Sequence, residues 1–222
     1  MNVGPLRVLA VQHVEITPEL RHLEIFTMSG LVTMLWHGPD SAERVVLMCG
    51  GAMGGLLGPA DGLYHDLGVT LAAQGIGSIR VGYRRPNDLD SCVGDVVAAA
   101  MLAEREGAER FVTVGHSFGG AVAVGAAIDP SPVAAAVRGI VTLATQSAGC
   151  EDAHLIGNRP FLLFHGDQDE ILPAFASEVV HQLAGGHGEL VVLPGAGHIL
   201  RENGAGAVLR ARLPGWISAA FG

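Results

Sequence analysis

From about residue 44 onward, short apolar runs alternate with glycine-rich loops and with longer stretches of helical character. Runs at 44–48, 76–81, 111–114, 139–144, 161–164 and 189–193 are continuous rather than alternating in polarity, the mark of strands buried on both faces of a parallel sheet. Between them, 63–74, 90–105, a small-residue stretch ending at Asp129-Pro130, and 173–183 predict helices. A last helix is expected over 205–221, interrupted at Pro214. Strand–helix alternation of this kind calls for βαβ crossovers and a mostly parallel sheet covered by helices on both sides. The first forty residues predict antiparallel strands instead. Segments 21–27 and 31–36 flank Met28-Ser29-Gly30, which has the makings of a hairpin turn.

At 222 residues the chain is long enough to bury a substantial core, and it is read as one domain spanning 1–222. The mean hydropathy of +0.39 is high, but 119–128, rich in Ala and Gly, reaches only about half a bilayer span. The apolar excess therefore belongs to the buried sheet, and no membrane partner is expected. The net charge of -9 opposes nucleic acid binding, and Arg84-Arg85 is an isolated basic pair. Cys49, Cys92 and Cys150 are too few and too scattered for a disulfide framework or a metal cage, and read as small buried groups. The N-terminus lacks the charged start and apolar core of a secretory signal, so a cytoplasmic location is expected.

Candidate chemistry gathers just after predicted strands, where reactive groups of such sheets collect. Gly115-His116-Ser117-Phe118-Gly119-Gly120 is a G-x-S-x-G pattern between an apolar strand and an Ala/Val helix. A turn that tight tolerates no bulk two residues to either side of the serine, and the helix start behind it offers backbone N–H groups to an oxyanion. His116 reads as a packing residue. A serine nucleophile needs a base and an acid, in the chain order Ser, Asp or Glu, His. His198, after Pro194-Gly195-Ala196-Gly197, sits in a small-residue loop flexible enough to bring its ring over the serine; His181 and His187 have no such setting. Phe161 to Pro173 supplies the acid. Asp169 is chosen, with Asp167 read as a turn former bonding its own backbone and Glu170 as a helix-entry charge.

These three motifs, in this order, resemble the α/β-hydrolase superfamily over nearly the whole chain from about Arg21. His165-Gly166-Asp167-Gln168-Asp169 is similar to that family's HGxxD, whose aspartate is the acid. The compact form is closest to dienelactone-hydrolase-like and small serine esterase members, although dienelactone hydrolases use cysteine where this chain has Ser117. The resemblance implies an α/β-hydrolase fold and an oxyanion hole formed by the amide of Phe118 and a second amide after the strand at 44–48. Cys49-Gly50 stands there in place of the common His-Gly, which makes Gly51 the candidate donor and Ala52 the fallback. Only 145–160 separates the two strands between which family members usually carry a cap, so no cap domain is expected and the pocket should be shallow and open.

Other readings of the glycine-rich loop fail. Gly50 to Gly55 is no Walker A motif, because Leu56 stands where lysine is required, and as a dinucleotide fingerprint it has Ala52 at the second glycine. No cofactor and no metal site is expected; there is no HExxH. Asp95 and Arg84 read as a solvated helix face and a structural ion pair rather than as substrate contacts, and Met28, Met34, Met48, Met53 and Met101 as core or pocket lining. The expected activity is hydrolysis of a small carboxylic ester or thioester through an acyl-enzyme. The alternative is the same fold used as a non-hydrolytic lyase or isomerase, or as a binding module. Oligomeric state is left open by the sequence.

Overall fold

A computed structural model describes residues 2–3 and 6–222. Their strands form one sheet: β1 (Asn2–Val3), β2 (Leu6–Thr17), β3 (Leu20–Thr27), β4 (Gly30–His37), β5 (Arg44–Cys49), β6 (Gly77–Gly82), β7 (Arg110–His116), β8 (Val137–Leu143), β9 (Phe161–Gly166) and β10 (Glu189–Leu193), in the order β1-β2-β3-β4-β6-β5-β7-β8-β9-β10. From β6 to β10 every pairing is parallel; β1 through β4 add antiparallel strands, β4 pairing with β6. Six helices lie among these residues: α1 (Pro59–Ala72), α2 (Leu89–Arg105), α3 (Phe118–Ile128), α4 (Pro132–Ala136), α5 (Phe175–Leu183) and α6 (Ala205–Ala220).

The continuous apolar runs are explained by two cores, one on each side of the sheet. Val45, Leu47 and Cys49 of β5 face α2 and α3, while Val46 and Met48 face α1 and α6. Because a strand's side chains alternate, a strand covered on both sides must be apolar at every position. The antiparallel strands are covered differently. Val32, Met34 and Trp36 are buried, whereas β2 beyond Val8 is exposed on both faces and is the outermost long strand. With neither face covered beyond Val8, this longest strand has no buried apolar stripe to mark it in the sequence. The β3–β4 hairpin forms where expected, its turn closed by Thr27 Oγ1 donating to the Gly30 carbonyl at 2.7 Å.

Three expectations change. The last helix runs on through Pro214, because its buried stripe Leu209, Leu213 and Ile217 packs against the sheet and outweighs one missing hydrogen bond. α4 was not foreseen. Met28 is exposed at the hairpin tip rather than packed, while Met34 and Met48 are core. As expected, no cap interrupts the sheet: 145–160 holds a single 3₁₀ turn, Ala153–Ile156. All three cysteines are free and buried, which pushes each thiol up, Cys92 and Cys150 to about 12. No described helix is long and apolar enough to cross a membrane.

Two buried polar clusters anchor the sheet. Asp95 of α2 is fully buried and accepts both the amide of Arg84, at 2.8 Å, and its guanidinium Nε. Arg84 also reaches Ser29 in the β3–β4 turn, so this ion pair ties hairpin, sheet and helix together. On the other side His37 packs beneath Gly68 of α1, with Arg80 Nη2 3.5 Å from its Nδ1. Arginine only donates, so Nδ1 must keep its lone pair and the ring stays neutral. Burial first, then Arg80 and His65, lower the His37 pKa from 6.5 to about 4.

Asp95→Ala leaves a buried guanidinium unpaired and should destabilise the fold by about 3–5 kcal/mol, read by denaturant unfolding. His37 favours its neutral form in the folded state. Its contribution is therefore complete above pH 6.5 and is lost as pH falls from 6.5 towards 4. His37→Gln keeps an acceptor for Arg80 but cannot titrate. The acid-side slope of unfolding free energy in that window should shrink by up to about 1.4 kcal/mol per pH unit.

Candidate active site

β7 delivers Ser117 on a bend that only a crowded, small-residue neighbourhood can hold. Ser117 adopts φ 58, ψ -123, a left-handed conformation unusual for a residue with a side chain. Its amide donates to the Leu143 carbonyl on β8 at 2.9 Å, and its own carbonyl accepts the Gly120 amide at 2.9 Å. A Cβ at Gly115 would strike the Gly119 backbone, one at Gly119 the Cys49 and Gly50 carbonyls, and one at Gly120 the side chain of Thr145. The glycines of the motif are therefore required by backbone-to-backbone contact. Phe118 opens α3, where the first amides of a helix have no partner in it.

The sheet order reverses at β5, which lies between β6 and β7, and Cys49 is paired with Gly115. The loop after β5 is consequently held beside the serine. Gly51 faces it directly: a Cβ there would lie 3.9 Å from the Ser117 Cβ. Gly51 pairs with Gly54 in an isolated bridge, and Ala52 sits at the tip between them. The hydroxyls of Tyr64 and Tyr83 donate to the Cys49 and Gly50 carbonyls at 2.8 and 3.0 Å and fix the loop's root. Nothing in the local sequence flags these two tyrosines; they come from α1 and from the end of β6.

Asp169 and His198 meet. His198 Nδ1 lies 2.8 Å from Asp169 Oδ2, and the carboxylate is fully buried. Its other oxygen accepts the amides of Ile171 and Leu172, both at 2.8 Å, and Oδ2 also contacts His165 Nε2 at 3.1 Å. Burial alone would raise the Asp169 pKa, but the Leu172 amide, His198 and the Ile171 amide outweigh it and hold the carboxyl below its ordinary value. The His165 Nε2 also faces the Leu172 carbonyl at 3.0 Å. Both its neighbours accept, so Nε2 carries the proton, and a neutral ring takes the Ser177 hydroxyl at Nδ1, 2.6 Å away. His165 thus braces the acid from below, four residues before it in sequence.

The histidine loop is pinned rather than flexible. Asp167 Oδ1 accepts the Gly195 amide at 2.6 Å, so this residue bonds across to the neighbouring loop instead of to its own backbone. Gln168 N donates to the Ala196 carbonyl, Asn203 Nδ2 to that of Gly195, and the Gly197 amide to Glu202. Glu170 enters no helix, since α5 starts only at Phe175; its Oε2 accepts the His198 amide at 3.3 Å. His116 does more than pack. Its Nε2 donates to the His198 carbonyl at 3.0 Å, the two rings lie 5.0 Å apart, and burial chiefly lowers its pKa to about 4.

Ser117, His116 and His198 open onto a cavity of about 630 Å³ walled by the loop from Gly50 to Pro59 and by Glu170, Ile171 and Ile199. No hydrogen bond joins the Ser117 hydroxyl to the His198 ring; the two share the cavity, and the direct pairing is between His198 and Asp169. Among the described residues no group of three or more His, Cys, Asp or Glu side chains is placed to hold a metal ion.

No protein-family model and no curated protein sequence matches this chain. Solved structures do. Est1E from Butyrivibrio proteoclasticus is 15% identical with TM-score 0.72, covering 90% of this chain and 98% of its own. A dienelactone hydrolase from Anabaena variabilis is 16% identical with TM-score 0.73, covering 94% and 98%. An esterase from Pyrococcus furiosus is 14% identical with TM-score 0.74, covering 99% and 100%. Strand order, strand direction and these likenesses agree: the chain has the α/β-hydrolase fold.

Proposed function

We propose that this protein is a serine hydrolase that cleaves carboxylic esters or thioesters of small substrates through an acyl-enzyme intermediate. The observation that carries the reading is the 2.8 Å contact between His198 Nδ1 and a buried, hydrogen-bonded Asp169. An ionised carboxylate only accepts, so it holds the proton on Nδ1 and leaves Nε2 with a free lone pair, in the cavity that also holds Ser117.

In this mechanism the ester carbonyl enters above Ser117. His198 Nε2 takes the hydroxyl proton as Oγ attacks, and Asp169 stabilises the resulting imidazolium. Charge developing on the carbonyl oxygen is met by the amide of Phe118 and by that of Gly51 or Ala52. His198 then gives its proton to the departing alkoxide or thiolate. Water, deprotonated by the same nitrogen, releases the acid and restores the serine. Catalytic hydrogen bonds are often long before substrate arrives, so the Ser117–His198 bond is expected to form in the substrate complex. The names of the neighbours, two of them an esterase and a dienelactone hydrolase, support the reaction class. The absence of a cap and the open cavity support small or flexible substrates.

Ser117→Ala should lower kcat/KM for p-nitrophenyl acetate by about 10⁴-fold or more and abolish labelling by a fluorophosphonate probe, with the circular dichroism spectrum unchanged. Equal turnover by variant and wild type would overturn the assignment. Asp169→Asn presents an N–H to Nδ1, favours the wrong tautomer, and should cost about 10⁴-fold in kcat with little change in KM, measured by steady-state kinetics.

A further inference from the structure

The cavity beside Ser117 has a charge character that the catalytic residues do not explain. All thirteen basic side chains of the protein are arginines, and none of them lines it. The arginines of the surrounding elements are engaged elsewhere or turned outward. Arg80 donates to the Leu56 carbonyl, Arg84 binds Asp95, Arg210 binds Asp66 and the Ala60 carbonyl, Arg201 pairs with Glu202, and Arg85 is exposed outside the cavity.

The single formal charge on the cavity wall is the carboxylate of Glu170. Glu170 is exposed, and the backbone amide of His198 donates to its Oε2 at 3.3 Å, which ties the carboxylate to the loop that carries the histidine. Apart from Ser117, His116, His198 and the glycine-rich backbone, the side chains of the wall are apolar, among them Met53, Leu56, Leu57, Ile171 and Ile199, with Met53 93% exposed. A carboxylate on a substrate seated here would find no cation and one anion on the wall, at a distance well inside the screening length of the solvent. A neutral or cationic group would meet no such opposition.

We infer that the site accepts neutral and cationic esters with a modest apolar acyl group and discriminates against esters bearing a carboxylate near the scissile bond, with Glu170 as the residue that sets this preference. The inference rests on the hydrolase reading above and adds the substrate class to it. It also separates this protein's substrate from any lactone or ester that carries an acid group.

The test compares three p-nitrophenyl esters of similar size: the butyrate, the succinate half-ester and the ester of trimethylammonio-butyrate. In the wild type kcat/KM for the half-ester should fall about tenfold or more below that for the butyrate, the cationic ester should match or exceed the butyrate, and added salt should narrow the gap. Glu170→Gln should recover about fivefold or more of the half-ester's deficit relative to the butyrate, and Glu170→Asp should preserve the wild-type ordering. Using the ratio between substrates cancels any common loss from the altered support of His198. Comparable wild-type rates on half-ester and butyrate, or a ratio unmoved in Glu170→Gln, would overturn the inference while leaving the hydrolase reading intact. A calorimetric titration with phenyltrimethylammonium and with benzoate is independent of turnover. Tighter binding of the cation by wild type, weakened in Glu170→Gln, supports the inference, and equal or tighter binding of benzoate sinks it. Loss of all ester hydrolysis with the cation preference intact counts against the hydrolase reading alone.

Discussion

A single buried carboxylate organises the loops at the end of this sheet. Asp169 is closed off from solvent, and a charge there is tolerable only because donors surround it: two backbone amides on one oxygen and two imidazole nitrogens on the other. Removing an ion from water is expensive unless each lone pair is met. The loop from Asp169 to Leu172 and the loop carrying His198 must therefore meet in one arrangement for either to be stable. That requirement joins the loops that follow β9 and β10, in addition to the ladder between the strands. It also decides which nitrogen of His198 is left free.

The second constraint is steric and sits one strand pairing away. Gly115 lies against Gly119 across the bend, Gly119 against the end of β5 and Gly120 against Thr145 just beyond β8, all so closely that no Cβ fits. This contact stores the strained backbone of Ser117 and sets the glycine-rich loop beside it. Neither feature would survive alone. The bend needs the packed carbonyls of Cys49 and Gly50 around it, and those carbonyls are in turn held by two buried tyrosine hydroxyls. Strain at the serine is thus sustained by hydrogen bonds that originate in α1 and β6.

Support of this kind extends outward from both constraints. His116 holds the carbonyl of His198 and Glu170 its amide, so the candidate base is held through the peptide units on both sides of its Cα. A loop that reads as mobile because it is built of glycine and alanine is instead bound at nearly every residue. Small side chains there serve close approach: a Cβ on Gly166 would strike the Ala196 carbonyl.

The sequence by itself determined what depends on local pattern. Continuous apolar runs specified strands buried on both faces, and G-x-S-x-G between strand and helix specified a bend at Ser117. The order of serine, acid segment and histidine specified the likeness to α/β-hydrolases. Polarity period and steric room are properties of a few consecutive residues, so they are legible there. The two-sided exposure of β2 and the passage of α6 through Pro214 were not, because each depends on what packs alongside. The separate duties of Asp167, Asp169 and Glu170 were decided only in three dimensions. All three are carboxylates within four residues, and what distinguishes them is which donor each meets from a loop 28 or 29 residues further along the chain. Hydrogen bonding selects among chemically equal neighbours by position in space, and that position is set by the whole fold.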